Sequence, residues 1–314
     1  MVASVSRHAA DAPPGPEHRL VARQAWAGIW PLPDAPMPRA YRSVPSGGGE
    51  RVRLEGRTAE GHLLAWLEVE TLPGGDAALR MLAALPDDSR AGPALDHAWQ
   101  EARRWLEQSG ARRVWSGGGM AHLWPGLPAA RSALSDWLDN QGFADAGKTW
   151  DMVADDLQAA RWSPAQSPRD IAWDLADAAD AAMATAWLQT EFPGRWPLEV
   201  ADTLAGVWPG SRLLLGRSDG KPVAFALLHL PGSDWTWRWQ GAVERPAAMG
   251  PLGVDRAWRG KGLGYALMET GLKLLQSEGA RATIIDWTTL TTFYGAFGFL
   301  PRWRWSRRAL VLRP

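Results

Sequence analysis

The sequence predicts a mixed α/β (α+β) fold built as two tandem domains. Its 314 residues match the usual length of about two domains. The segments 96–112 and 265–281 share one plan, an amphipathic helix that ends at a glycine followed by Ala-Arg. Strand-like segments precede this helix in each copy, and a strand, a short helix and a further strand follow it in the second. We therefore expect two related copies of one α/β unit.

The elements can be placed in order along the chain. Residues 1–17 end in Pro-Pro-Gly-Pro and predict a flexible tail before a first domain at 18–158. Two Ser-Pro pairs in 159–168 indicate a linker, which leaves 169–314 for the second domain. Period-two patterns and turn residues predict strands at 51–54, 62–72, 77–85, 212–216, 222–230, 250–255, 282–287 and 299–312. The residue just past the end of a helix often has a left-handed backbone conformation, which glycine at 110 and at 279 can adopt without strain.

Composition excludes several classes of protein. The formal net charge is zero, so no overall field draws the chain to nucleic acid or to an acidic membrane. Cysteine is absent, and the six histidines show no metal-ligand spacing, so we expect no metal cofactor. No apolar run approaches the length of a membrane span or a signal peptide. We expect a cytoplasmic monomer or homodimer with no nucleic-acid and no membrane partner.

A glycine-rich run lies between a strand-like segment and the second amphipathic helix. It reads Arg-Gly-Lys-Gly-Leu-Gly from Arg259 to Gly264. Such a loop opens a helix with free backbone N–H groups and few side chains in the way, which suits a pyrophosphate. A dinucleotide fingerprint would need a third glycine where Tyr265 stands, and the Gly-x-x-x-x-Gly-Lys-Ser/Thr pattern of a P-loop is absent. A simple glycine-softened turn is the structural alternative.

The second half resembles the GNAT N-acyltransferase superfamily. Arg259, Gly262 and Gly264 match its Arg/Gln-x-x-Gly-x-Gly/Ala motif, after a Leu-Gly-Val strand and before Tyr294-x-x-x-Gly-Phe. The resemblance covers most of 168–314, and the whole chain is similar to tandem-GNAT proteins with a degenerate N-terminal copy. It implies a mixed, splayed β-sheet flanked by helices in each domain, with acetyl-CoA as co-substrate.

The resemblance also implies residue roles in cofactor binding. Backbone N–H groups of the loop would hold the pyrophosphate, and main-chain groups of the preceding strand would meet the pantetheine arm. The residues so implied are Leu252, Gly253, Val254, Arg259, Gly260, Lys261, Gly262, Leu263, Gly264 and Tyr294. A Cβ at the second or third glycine would keep phosphate oxygens from the backbone.

Catalytic roles follow from the same resemblance. Tyr294 matches the position that gives a proton to the leaving thiolate, and packing beside two phenylalanines is its structural alternative. Asp286, at the end of a strand near the splay, is a possible general base. Glu244 and His229 are alternatives, as is a chain of water molecules. Thr288 stands where relatives often have asparagine.

The first copy lacks an intact loop. Aligning the two helix-capping glycines places 90–95 opposite 259–264. There Pro93 removes an N–H donor, Leu95 adds bulk, and Leu138 stands in place of the tyrosine. We therefore expect the first domain not to bind CoA productively.

The expected function is acyl-CoA-dependent N-acetyl transfer. The acetyl group would pass from acetyl-CoA to a primary amine of a small molecule or peptide by direct attack. The loop at 191–196 is expected to border the acceptor. The alternative is a non-catalytic CoA-binding or structural tandem-GNAT protein.

Overall fold

The computed structural model describes residues 4–9, 14–26, 49–119, 122, 125–129, 132–157 and 170–312. The chain forms two compact units, Met1–Thr149 with Arg304–Pro314 and Trp150–Trp303. Each is a mixed α/β unit, which confirms the predicted fold class. The predicted linker at 159–168 lies outside the described residues.

The first unit carries a sheet with a long helix packed on it. Its elements are β1 (Ser4–Ala9), α1 (Pro16–Ala25), β2 (Arg51–Arg57), β3 (Leu63–Leu72), β4 (Asp76–Ala84), α2 (Ala91–Gln108), β5 (Arg113–Ser116), the two-residue β6 (Leu127–Pro128), α3 (Ala133–Asn140) and the first part of β7 (Ala144–Ala154). Strands β1 to β4 are antiparallel neighbours, and β5 is parallel to β4. Helix α2 buries alanine, leucine and tryptophan at helical spacing against β2 and β3.

The N-terminal segment differs from the predicted tail. Residues Ser4–Ala9 pair with β2 in antiparallel register, and α1 begins at Pro16. An edge strand is held by backbone hydrogen bonds to a single neighbour. It can therefore form without the alternation of apolar and polar residues by which a strand is recognised in a sequence. The prediction of a flexible tail over 1–17 is therefore wrong for the described residues of this segment.

The second unit has its own sheet and four helices among its described residues. Its elements are the end of β7 from Trp150, β8 (Ala172–Leu175), α4 (Ala181–Glu191), α5 (Trp196–Leu204), β9 (Ser211–Ser218), β10 (Lys221–His229), β11 (Pro246–Val254), α6 (Leu263–Ser277), β12 (Ala282–Thr288), α7 (Thr291–Gly295) and the start of β13 (Leu300–Val311). The strand order is β7-β12-β11-β10-β9-β8. Only the β11–β12 pair is parallel among these neighbours.

The unit boundaries fall inside two strands and not at the predicted linker. Residues 150–154 of β7 pair with β12 of the second unit. Conversely, β13 pairs with β5 of the first unit through Ala309 opposite Trp115. A linker is recognised by composition, whereas strand pairing is decided by contacts far apart in sequence. The compact units therefore differ from the predicted domains, 18–158 and 169–314. The end of β7 belongs to the second unit, and the end of β13 belongs to the first.

Two apolar cores lie on opposite faces of the β9–β10 hairpin. Leu214 faces a core with helix α6, whereas Leu213 and Leu215 face a second core with α4 and α5. Successive side chains of a strand point to opposite faces of the sheet, and here both faces are covered by helices. Asp219 and Gly220 form the two-residue turn between these strands, both with positive φ.

The repeated helix ends are confirmed in both units. Gly110 and Gly279 have φ of 77° and 78°. The next N–H group reaches back to Leu106 O at 2.9 Å in the first unit and to Leu275 O at 3.1 Å in the second. This six-to-one hydrogen bond is the helix ending that glycine permits.

Candidate acyl-transfer site in the second unit

The parallel strands β11 and β12 diverge part-way along their length. Their paired positions run from Pro246 opposite Ala282 to Ala248 opposite Ile284 and then stop. Beyond this point β11 stays on β10, with a bulge between Met249 and Leu252. The β12-facing edge of β11 therefore has no strand partner after Ala248 among the described residues.

The three strand residues assigned to cofactor binding lie in this unpaired stretch. Leu252, Gly253 and Val254 pair with β10 on their other edge. Glycine at 253 also has a packing reason, because a Cβ there would lie 2.7 Å from the Phe192 ring and 2.8 Å from the Phe225 ring. The small residue thus lets the α4–α5 side pack directly against β11.

The loop that follows ends in a left-handed turn into α6. A short 3₁₀ helix, Arg256–Trp258, leads to Gly260 and Gly262, whose φ values are 77° and 81°. Leu263 is the first helical residue, and the first turn holds no acidic side chain. Across the described part of the chain, no partner is found for the backbone N–H groups of 260–264. Unpaired donors at the start of a helix are the arrangement with which proteins bind anions.

The third glycine of the loop is not required by the protein's own packing. A Cβ at Gly264 would lie 3.6 Å from the Phe293 ring and 4.0 Å from Val254, which are ordinary contacts. Gly264 lies inside α6 and lacks a positive φ. The absence of a side chain therefore leaves space beside the free N–H groups, as a close ligand would need.

The two cations of the loop differ in their contacts. Arg259 Nε donates to the Val254 carbonyl oxygen at 3.0 Å, so this guanidinium braces the loop against the end of β11. Lys261 is exposed, with its Nζ 5.2 Å from the centre of the Trp258 ring. Both can add positive charge near the free N–H groups.

Tyr294 lies on α7 and is buried in the α6-side core. Its ring packs against Phe293 at 5.0 Å and Phe299 at 6.2 Å between centres. Burial, and then the charge of Asp286, raise the pKa of Tyr294 to about 12, while a hydrogen bond with Thr288 opposes the rise. The phenol therefore keeps its proton at neutral pH. Thr288 Oγ1 also accepts from Leu290 N at 3.0 Å, next to the start of α7.

Asp286 lies on β12 just beyond its last pair with β11. One carboxylate oxygen forms an ion pair with Arg238 Nη2. The other oxygen lies 4.0 Å from the position that a Cβ on Gly250 would take, so the carboxylate faces the bulge of β11. Arg238 is buried and its guanidinium stacks on Trp239, 3.9 Å from the ring centre. Asp286 is therefore a carboxylate at the divergence with a fixed counter-ion.

His229 does not suit the role of general base. Its Nε2 lies 2.9 Å from the Gly250 carbonyl oxygen, which can only accept, so Nε2 carries the proton. Nδ1 then accepts from Ser211 Oγ at 2.7 Å. Burial lowers the pKa of His229 to about 4, so the ring is neutral near pH 7. The histidine instead fixes the carbonyl at the bulge.

Glu244 is also badly placed for proton transfer. It is exposed and precedes β11, at the end of the strand opposite the loop. Arg245 and four strand residues, 246–249, separate it from Gly250, and the strand part alone spans roughly 13 Å. Of the three carboxylate and imidazole candidates, Asp286 and His229 lie at the divergence, and both ring nitrogens of His229 are already engaged.

The sequence analysis missed Asp151, which comes from the end of β7. Asp151 Oδ1 accepts from Trp287 N at 3.1 Å, and Oδ2 accepts from Trp239 Nε1 at 3.3 Å. Burial, and then the charge of Asp286, raise the pKa of Asp151. The one available signal was a charged residue within an apolar strand, since Asp151 interrupts the run Trp-Asp-Met-Val.

The loop between α4 and α5 approaches the same strand end. The Arg195 guanidinium lies 4.6 Å from the centre of the Trp287 ring and pairs with Glu199. Glu199 is buried, and burial raises its pKa while Arg195 opposes the rise. Trp287 directly follows Asp286, so the segment predicted to border the acceptor is linked to the candidate base.

In the first unit the corresponding residues are helical. Helix α2 begins at Ala91, and Ala94 N donates to Arg90 O at 3.0 Å. Leu95 is buried under this first turn, and Leu138 is buried on α3. The loop of the second unit is thus replaced by an additional helical turn, in which Pro93 has no N–H.

Two general properties were assessed over the described residues. None of the helices there has the length and apolarity that crossing a bilayer requires. In those same ranges, no three acidic or histidine side chains come together as a metal ion would need.

Comparison with known proteins agrees with this geometry. Residues 181–299 match the sequence profile of the Acetyltransferase (GNAT) family. A GCN5-related glucosamine N-acetyltransferase region of a fungal multi-domain GH3 β-N-acetylglucosaminidase has a TM-score of 0.77 at 17% identity, covering 98% of this chain. This chain spans 38% of the fungal protein. No curated protein sequence matches the chain.

Two further solved structures match this chain over nearly their whole length. A tandem GNAT protein from the clavulanic acid biosynthesis pathway has a TM-score of 0.64 at 17% identity, covering 99% of both chains. A GCN5-related N-acetyltransferase from Sphaerobacter thermophilus has a TM-score of 0.66 at 17% identity, covering 99% of this chain and 96% of its own. Residues 181–299 therefore form a domain of the GNAT acetyltransferase family, in a chain whose fold is that of tandem GNAT proteins.

Proposed function

We propose that the second unit is an acetyl-CoA-dependent N-acetyltransferase that acts on a primary amine of a small molecule or peptide. The observation that carries this proposal is the open edge of β11 directly before a loop with five free N–H groups. An open strand edge can pair with the amide groups of a pantetheine arm, and the loop can take the pyrophosphate. The space beside Gly264 fits such a ligand.

Asp286 accepts a proton from the acceptor ammonium in this proposal. The neutral amine then attacks the thioester carbonyl, so that an N–C bond forms and the C–S bond breaks. Asp286 suits the task because it lies at the divergence of β11 and β12, with Arg238 as its counter-ion. Its proton later leaves to solvent.

Tyr294 gives its proton to the leaving thiolate. A phenol whose pKa is about 12 is a weak acid for this purpose, and part of that rise comes from the charge of Asp286. Once Asp286 has taken the amine proton, this charge is gone and the phenol becomes a stronger acid. The amine nitrogen still carries one surplus proton after the attack. This proton passes to the Tyr294 phenolate and regenerates the phenol. The two proton transfers are thus coupled in a favourable order.

Only one cofactor is bound per chain in this proposal. In the first unit, the additional turn of α2 pairs backbone groups that a phosphate would need, and Leu95 fills the space below it. Calorimetric titration with CoA should give a stoichiometry of one. Two sites per chain would contradict the assignment.

The deciding experiment measures release of free thiol from acetyl-CoA with a panel of primary amines, including aminosugars, polyamines and short peptides. Amine-dependent thiol release with formation of the N-acetyl product supports the proposal. A non-catalytic CoA-binding protein is the second candidate, favoured by the ion pair that already engages Asp286. CoA binding without thiol release from any amine would favour that candidate.

A further inference from the structure

The backbone around Asp286 departs from a regular strand. Ile285 pairs with Met152 and Thr288 pairs with Trp150, so Asp286 and Trp287 together oppose the single residue Asp151. This two-against-one arrangement is a β-bulge, a feature that redirects side chains and is frequent beside active sites. Trp287 has φ of 49°, in the left-handed region that bulky residues avoid. The bulge therefore sets the direction of Asp286.

Asp151 is the residue that holds this bulge. Its Oδ1 accepts from the backbone N–H of Trp287, and its Oδ2 accepts from the indole of Trp239. Bulged residues lose regular ladder hydrogen bonds, so a side-chain acceptor opposite them replaces the missing partner. Asp151 thus provides an acceptor for the N–H of the residue whose backbone is in the left-handed conformation.

The two carboxyl groups also share one electrostatic environment. The groups that act on Asp286 or on its neighbour Asp151 come from five elements: Asp151 on β7, Glu199 on α5, His229 on β10, Arg238 on its 3₁₀ helix and Tyr294 on α7. Of these, Arg238 is the cation: it is ion-paired with Asp286 and its charge lowers the pKa of Asp151, whereas the ring of His229 is neutral. Two interacting carboxyl groups beside one cation titrate as a pair.

We propose that Asp151 is a positioning residue for Asp286: it holds the bulge that presents Asp286 to the acceptor amine. The inference rests on the proposed function. It assigns a role in the second unit to a residue from the first copy of the repeat.

Two substitutions separate the geometric role from the electrostatic one. Asp151→Asn keeps one oxygen for the Trp287 N–H but removes the charge, whereas Asp151→Ala removes both. The control is Thr283→Val, which changes a buried side chain on the same pair of strands, three residues before Asp286 and opposite Ala154. All variants are first checked for a cooperative melt and for unchanged CoA affinity.

The readouts are kcat and the pH profile of kcat/KM. Asp151→Ala should lower kcat by about 30- to 100-fold, while Asp151→Asn should retain most of kcat at its plateau. Asp151→Asn should also move the acid limb of the profile to lower pH by about one unit, because a like charge is removed. Thr283→Val should match the wild type. An unmoved acid limb in Asp151→Asn, or full turnover in a folded Asp151→Ala protein, would overturn the proposal.

A second measurement keeps this inference separate from the proposed function. Carboxyl-carbon NMR of the full chain follows aspartate titration without any substrate. The wild type should show an aspartate that titrates well above the ordinary carboxyl range, and this signal should vanish in Asp151→Asn. Absence of thiol release with such a signal would reject the acetyltransferase but retain the carboxyl pair. Identical titrations in both proteins would reject the pair.

Discussion

Replacing Gly264 by alanine should raise stability and lower cofactor affinity at once. The residue lies in the first turn of α6, and a Cβ there would meet only the Phe293 ring at 3.6 and 3.7 Å and Val254 at 4.0 Å. Alanine is favoured over glycine inside a helix by roughly 0.5–1 kcal/mol. For a unit of this size that corresponds to a rise in Tm of about 1–4 °C.

The effect on binding has the opposite sign. The added methyl group occupies the space beside the free N–H groups and would displace a phosphate oxygen from at least one of them. A hydrogen bond to a charged group contributes about 1.5–3 kcal/mol, which corresponds to a roughly 10- to 150-fold weaker CoA affinity. If Gly264 had no contact with the cofactor, alanine there would raise Tm without weakening CoA affinity.

The assay pairs thermal unfolding with calorimetric titration of CoA. Gly295→Ala is the matched control, because Gly295 is also a helical glycine of the second unit and nothing lies within 4 Å of its added Cβ. The control should raise Tm slightly and leave CoA affinity unchanged. If Gly264→Ala binds CoA as tightly as the wild type, the backbone N–H groups beside Gly264 do not hold the pyrophosphate.

Three other predictions concern proton transfer, pH and chain cutting. Tyr294→Phe should lower kcat by about 10²- to 10⁴-fold with CoA affinity intact, and wild-type turnover would remove the tyrosine from the mechanism. Because the pKa of His229 is about 4 in the folded state and 6.5 in the unfolded state, the unfolded chain binds an additional proton below pH 6.5. Urea unfolding should therefore show a stability loss of up to about 3 kcal/mol between pH 7 and pH 4, and a His229→Gln protein with the same slope would contradict this. A fragment of 169–314 lacks residues 150–154, which pair with β12, and should lack a cooperative melt by circular dichroism; a sharp transition would show that β7 is dispensable.

The sequence was sufficient for the fold class, the repeat and the position of the glycine loop. These depend on local patterns: helical periodicity, glycine after a helix and a two-residue turn at Asp219 and Gly220. Each is set by neighbours in the chain, so a single sequence reveals it.

What the sequence could not reveal depends on distant contacts. Asp151 and Asp286 are far apart in the chain, and only the pairing of β7 with β12 brings them together. The same holds for His229, whose two ring nitrogens are engaged by Ser211 and Gly250. In the first copy, α2 begins at Ala91 with Leu95 buried beneath its first turn. Aligning Gly110 with Gly279 in the sequence could not reveal this burial.

The shared β7 strand has a consequence for the history of the gene. After a duplication, one copy can usually be lost once the other performs the task. Here the first copy no longer has a cofactor loop, yet it supplies the strand end that carries Asp151, and the second copy supplies β13 to the first unit. Deleting either half would leave the other with an unpaired sheet edge. Each half of the reading frame therefore encodes strand segments that complete the other half's sheet.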